Sequence, residues 1–115
     1  MRFIMISMSV TPLTADTFAE KVSTPGIVIV DCWAAWCAPC RAFKPVFEAA
    51  AAANPDILFC SVDTEAEQDL GAELGITSIP TVLAFRDGKM VFNRAGAFRA
   101  PDFDRLITAI RNLDA

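Results

Sequence analysis

The segment Ile27-Val28-Ile29-Val30-Asp31-Cys32-Trp33 is apolar at every position except Asp31. A strand with one wet face alternates apolar and polar residues, so a run without that alternation has to be covered on both sides. Such a run is the central strand of a sheet with helices on each face, and it commits the chain to an α/β architecture. Two further runs follow, Ile57-Leu58-Phe59-Cys60-Ser61-Val62 and Thr81-Val82-Leu83-Ala84-Phe85. Residues 3–10 read as another strand. Arg86-Asp87-Gly88-Lys89 has hairpin turn chemistry, after which Met90-Val91-Phe92 resumes a strand.

Four helical stretches separate these runs. Thr14 is placed to N-cap a helix reaching about Val22. A long helix is expected from near Cys37 to Ala53. It stops at Asn54-Pro55, because the residue before a proline is pushed out of the α region. A third is expected over Glu65–Leu74 with Gly75 at the C′ position, and a fourth from Pro101 to about Leu113. The order βαβαβαββα calls for parallel strands joined by right-handed crossovers, with an antiparallel hairpin near the end.

At 115 residues the chain is one domain, and an apolar content of 54% excludes disorder. Ten Lys and Arg against fourteen Asp and Glu leave a net charge of −4, with no basic run to hold nucleic acid or an anionic membrane. No apolar stretch approaches the ~18–20 residues needed to span a bilayer. Arg2 followed by Phe3-Ile4-Met5-Ile6 has too short an apolar region for a signal peptide, and no small-residue cleavage site follows it. It reads as an edge strand of a mature cytoplasmic protein, with Met5 and Met8 as alternative starts to Met1. The sequence contains no histidine, which removes Ser-His-Asp and Cys-His triads, HExxH zinc sites and any histidine general base.

Chemistry then has to run on other side chains, and Cys37-Ala38-Pro39-Cys40 stands out. At the start of a helix this spacing puts both thiols on one face about a turn apart. That is compatible with the ~4.4–6.8 Å Cα separation of a disulfide. Cys37 is expected beside the helix N-terminus, where unpaired N–H groups favour a thiolate, as an exposed nucleophile. Cys40 is expected to be the more buried, protected resolving thiol. Pro39 is tolerated in a first helical turn, where its missing N–H would be unpaired anyway. Three local readings compete: a redox dithiol, half of a zinc site, and an inert pair. The zinc reading lacks histidine and a second CxxC. Cys32, Cys37 and Cys40, with Cys60 downstream, also match the plant-type [2Fe–2S] spacing. Cys32 and Cys60, however, lie inside apolar strand runs and not in a metal-wrapping loop, and read as small buried hydrophobes.

Trp36-Cys37-Ala38-Pro39-Cys40, preceded by Val30-Asp31 and Trp33-Ala34 and followed by Pro45, resembles the active-site segment of the thioredoxin family. Gly75-Ile76, Ile79-Pro80-Thr81, Phe85 before Asp87-Gly88, and Gly96-Ala97 extend the likeness from about Val10 to the C-terminus. The resemblance implies a thioredoxin fold in one domain over residues 1–115: a single five-stranded mixed sheet in the order 1-3-2-4-5, flanked by four helices. It implies a protein-disulfide reductase in which Cys37 attacks a substrate disulfide and Cys40 resolves the mixed disulfide. Asp31 matches the family's buried aspartate, which accepts the resolving thiol's proton through a water. Pro80 matches a cis-proline that sets the Ile79 backbone beside the dithiol, ready for strand addition by an extended substrate. Trp36, Pro39, Ile79, Pro80, Gly96 and Ala97 would form the docking patch, while Trp36, Ala38 and Pro39 tune the redox pair.

The resemblance implies no cofactor beyond the redox-active Cys37–Cys40 disulfide. Its implied partners are disulfide-containing proteins and an NADPH-dependent thioredoxin reductase, with the chain acting as a monomer. Two positions depart from the family pattern. Ala38 stands where glycine is usual, and Phe59 stands where a lysine commonly pairs with the buried aspartate. Without that cation, desolvation of Asp31 is less opposed, and its pKa is expected to be raised further. An oxidase or isomerase of the same fold and a non-catalytic partner-binding subunit are the alternative functions.

Overall fold

A computed structural model describes residues 9–113. Its elements are β1 (Val10–Leu13), α1 (Ala15–Val22), β2 (Ile27–Trp33), α2 (Ala38–Ala53), β3 (Leu58–Asp63), α3 (Gln68–Glu73), β4 (Thr81–Arg86), β5 (Lys89–Ala95) and α4 (Ala100–Arg111). The strands form one sheet in the order β1-β3-β2-β4-β5. β1 and β2 run parallel to β3, and β4 is antiparallel to both β2 and β5. The mixed sheet and its order are those the resemblance implies. Alternation alone calls for a parallel crossover through α3, whereas β4 enters the sheet antiparallel to β2.

The unbroken apolarity of β2 has a direct cause. Ile29 packs into a layer with Phe43, Phe47, Phe59, Phe103 and Ile107. Val28, Val30 and Cys32 pack into a second layer with Phe18, Cys60, Val62 and Leu70. Successive side chains leave a strand on opposite faces, so both faces of β2 meet oil. The first layer contains a cluster of phenylalanines. Phe43 and Phe103 meet edge-to-face at 5.2 Å, and Phe47 and Phe59 at 5.3 Å. Such pairs add about 0.5–1.5 kcal/mol beyond the area they bury.

Several boundaries differ from expectation. Of the strand expected over residues 3–10, residues 3–8 lie outside the described residues. Val10 opens β1, which continues to Leu13 through Pro12. A proline fits there because, among the described residues, β1 pairs on one side only. α3 begins at Gln68 instead of Glu65, because Asp63 Oδ1 accepts hydrogen bonds from the N–H groups of Glu65 at 3.0 Å and Ala66 at 3.3 Å. A side-chain-capped turn thus replaces the first helical turn. α4 ends at Arg111, two residues short of Leu113. β5 extends to Ala95, well beyond Phe92. It is an exposed edge strand, so apolar alternation is not required of it.

The punctuation falls where it was expected. Gly75 follows α3 at φ +72°, the left-handed conformation that ends a helix. Arg86 pairs with Lys89 across a two-residue turn in which Asp87 and Gly88 both have positive φ. Asp87 also accepts from the Gly26 N–H at 2.9 Å through Oδ1, and its own N–H donates to the Gly26 carbonyl at 2.9 Å. This pair ties the hairpin to the loop entering β2. At the same pole the Arg111 guanidinium reaches both oxygens of Asp56, at 2.7 and 3.0 Å, and Asn54 Oδ1 at 2.8 Å.

Phe103 is fully buried and stacks against Phe43, Phe47 and Phe98. Phe103→Ala should therefore cost about 3–5 kcal/mol of unfolding free energy. A urea titration checks this, and a loss below about 1 kcal/mol would contradict the packing described.

Candidate active site

β2 delivers the chain at Trp33 into a short loop, and α2 opens at Ala38 with Cys37 as its N-cap. Cys37 Sγ accepts a hydrogen bond from the Cys40 N–H at 3.2 Å. A thiol sulfur thus fills the role that a Ser, Thr or Asp oxygen usually has at a helix start. The loop is closed by Cys37 N–H donating to the Ala34 carbonyl at 3.2 Å. Arg41 clamps it further, donating from Nη1 to the Ala35 carbonyl at 2.8 Å. Ala38 and Pro39 occupy the first helical positions and face solvent.

A second segment meets this turn from across the sheet. The Ile79–Pro80 bond is cis, and the Ile79 carbonyl lies 3.7 Å from Cys37 Sγ. Gly96, at φ +117°, donates its N–H to the Pro80 carbonyl at 2.7 Å, a backbone conformation that only glycine adopts easily. Ala97 follows it at the surface. Trp36 is 66% exposed. The structure thus sets Cys37, Cys40, Trp36, Ile79, Pro80 and Gly96 at one end of the sheet.

The expected contrast in exposure between the two thiols is absent. Cys37 is 4% exposed and Cys40 3%, because both lie in a small buried cluster with Ala34, against which Trp33 and Ile79 pack. Electrostatics marks Cys40 instead. Burial pushes its thiol up to about 12, helped by the hydrogen bond and charge of Cys37 and the charge of Asp31, against a backbone hydrogen bond at Ala34. Asp31 is 5% exposed, and burial raises its carboxyl to about 7. Its Oδ1 has no hydrogen-bond partner among the described residues. Its register neighbours are Ser61 on β3 and Val82 on β4, neither of them a cation. Phe59, two residues before Ser61, is buried edge-on against Phe47.

Cys32 and Cys60 are fully buried in the layer beneath α1 and α3, apart from the dithiol cluster. Burial pushes them up to about 12 and about 11. All four cysteines are free thiols. No helix among the described residues is long and apolar enough to cross a membrane. Sequence reasoning missed Arg41, Ser61 and Thr64. The Thr64 N–H and hydroxyl both donate to the Trp33 carbonyl, at 2.9 and 3.0 Å, and hold the end of β2 in place. Only the position of Arg41, directly after Cys40, offered a local signal.

Comparison with known proteins gives a consistent picture. The family model described as Thioredoxin matches residues 9–110. A putative thioredoxin 2 of Streptomyces coelicolor is 42% identical over 106 residues, covering 92% of this chain and 79% of its own. A thioredoxin of Chlamydia muridarum is 37% identical over 98 residues, covering 85% and 92% respectively. Among solved structures, one from work on the thiol resolving mechanism of yeast mitochondrial 1-Cys peroxiredoxin via glutathione and thioredoxin systems superposes with a TM-score of 0.78. It is 26% identical and covers 91% of this chain and 96% of that one.

The native Asp31 carboxyl keeps its proton to about pH 7, whereas an unfolded one releases it near 3.8. Between these values the folded state binds more protons, so stability falls as pH rises through the window, by up to about 4 kcal/mol. Asp31→Asn should therefore be more stable than the native chain by about 2–4 kcal/mol at pH 8 and by less than about 1 at pH 4. Urea titrations at the two pH values check this, and an equal difference at both would contradict it. Phe59→Lys should lower the Asp31 midpoint by supplying a cation on the same sheet face. An unchanged midpoint in a carboxyl NMR titration would rule out the missing cation as a cause.

Proposed function

The chain belongs to the thioredoxin family and is a thiol–disulfide oxidoreductase, and on that premise we propose that Cys37 and Cys40 run a protein-disulfide reductase cycle with Asp31 managing the proton. The observation that carries this reading is the helix start, where Cys37 Sγ caps α2 against the Cys40 N–H at 3.2 Å. The two cysteines are close together, and their spacing at a helix start is compatible with disulfide geometry.

In the first step the Cys37 thiolate attacks one sulfur of a substrate disulfide. A Cys37–substrate bond forms, the substrate S–S bond breaks, and the second substrate sulfur leaves as a thiolate that takes a proton from water. In the second step Cys40 loses its proton and attacks Cys37. The Cys37–Cys40 bond forms, the mixed disulfide breaks, and the remaining substrate thiolate departs. Two electrons have passed from the dithiol to the substrate.

The unfavourable part of the second step is the deprotonation of Cys40. Burial and the hydrogen bond and charge of Cys37 all hold its thiol up. Once Cys37 is tied in a mixed disulfide, its hydrogen bond and charge no longer oppose the loss of the Cys40 proton. Asp31, itself raised to about 7, then serves as a base near working pH, reached through a water. The raised value matters here, since a carboxylate near 4 would be a poor proton acceptor from any thiol.

The docking face is proposed to be Trp36, Pro39, Ile79, Pro80, Gly96 and Ala97. An extended substrate would add beside the Ile79 backbone, whose carbonyl is already 3.7 Å from Cys37 Sγ, and rest on the exposed Trp36. Trp36, Ala38 and Pro39, around and between the thiols, would set the redox poise. The proposed setting is a monomer in the cytoplasm, recharged by an NADPH-dependent thioredoxin reductase.

Reduction of insulin with dithiothreitol as electron source tests the cycle. The native chain should accelerate it, Cys37→Ser should fall to the rate of dithiothreitol alone, and Cys40→Ser should accumulate a mixed disulfide with substrate. A native chain no faster than Cys37→Ser would sink the reductase reading.

A further inference from the structure

A cavity of about 450 Å³ lies behind the dithiol, between β1, β2, β3 and the flank of α2. Its size falls within the ~300–1,000 Å³ of small-molecule sites. Val10, Pro12, Trp33 and Phe47 give it apolar walls, and it touches both Cys40 and Asp31. We propose that this cavity is a binding site for small apolar amines, anchored by the Asp31 carboxylate.

The chemistry of the lining selects that class. Asp31 is 5% exposed, and its Oδ1 has no partner among the described residues. A water can pair that oxygen, as in the proposed cycle, but a charge-assisted hydrogen bond is the stronger way to satisfy it. An ammonium group supplies the donor and the opposite charge together, and a hydrocarbon body suits the walls. An anion would meet Asp31 with repulsion, and a hydrocarbon alone would leave Oδ1 as it is. Among the described residues, the other charged or titratable lining groups are Cys40, Arg41, Lys44 and Glu48, all on α2. β1 and β3 contribute none. Arg41, Lys44 and Glu48 are exposed, so water and salt screen them. Asp31 sits where the local dielectric is low, and its field governs a bound cation.

Occupancy would place the amine against Cys40 and engage the carboxylate proposed to take its proton. The mixed disulfide would then persist, while the docking face around Trp36 stays open. This consequence rests on the reductase cycle; the binding itself does not.

Benzylamine titrated into the reduced full chain at pH 8 and followed by amide NMR separates the two. The expected result is a saturable shift centred on Trp33, Ala35, Phe47 and Ser61. Affinity should drop at least ~10-fold in Asp31→Asn, and benzyl alcohol should bind the native chain at least ~10-fold more weakly than benzylamine. The alcohol comparison stands even if the variant misfolds. The site is refuted by the absence of a saturable shift, by shifts centred on Trp36 and Ile79, or by equal affinity for the amine and the alcohol. A mixed disulfide with insulin should survive several-fold longer at saturating benzylamine. An unchanged lifetime with the cavity filled would refute the role given to Asp31 in resolution and leave the site standing.

Discussion

Between its two apolar layers, β2 carries a carboxylate that meets neither a cation nor a hydrogen-bond donor among the described residues. Water would stabilise the charged form of that group by far more than the sheet does, so its ionisation works against folding. The penalty is a sizeable part of the roughly 5–15 kcal/mol that holds a domain of this kind together. The rest of the dithiol end is compatible with that penalty because it is firmly fixed by other means. Thr64 holds the end of β2, Arg41 holds the loop that follows, and Gly96 holds the segment bearing Pro80. A charge poorly matched to its surroundings can persist only where neighbouring backbone has few ways to relax around it.

Legibility in the sequence followed the range of the interactions involved. β2 and α2 were readable because two-sided burial removes alternation and because Asn54-Pro55 stops a helix locally. The Asp87-Gly88 turn was readable for the same reason, as positive φ restricts residue choice on the spot. The first turn of α3 was misread because Asp63, just outside the segment, draws the amides of Glu65 and Ala66 to its side chain. The exposure of Cys37 was misread because its cover includes Ile79, which is 42 residues away in sequence. The cavity behind Asp31 was invisible in any window. Its walls come from β1, β2, α2 and β3, and no one of those segments hints at a shared void.

The two cysteine pairs show how position, more than residue type, decides chemistry. Cys37 and Cys40 share a helix start, with an N–H directed at one sulfur and a carboxylate close to the other. Cys32 and Cys60 sit in adjacent strands among Val30, Val62 and Leu83, and there a thiol behaves as a small hydrophobe. On the proposed reading, the sheet thus sorts four identical side chains into two reactive and two silent ones.

That sorting makes the silent pair a gauge already written into the chain. Neither Cys32 nor Cys60 presents any surface to solvent, and both belong to central strands. A water-borne thiol reagent can reach them only when β2 and β3 come apart, which is the opening of the whole domain and not the fraying of an edge. With Cys37 and Cys40 blocked first, the pace at which the interior sulfurs are labelled reports how often the native sheet opens. When reclosing outruns labelling, that pace follows the equilibrium population of the open chain, with no probe introduced into the core.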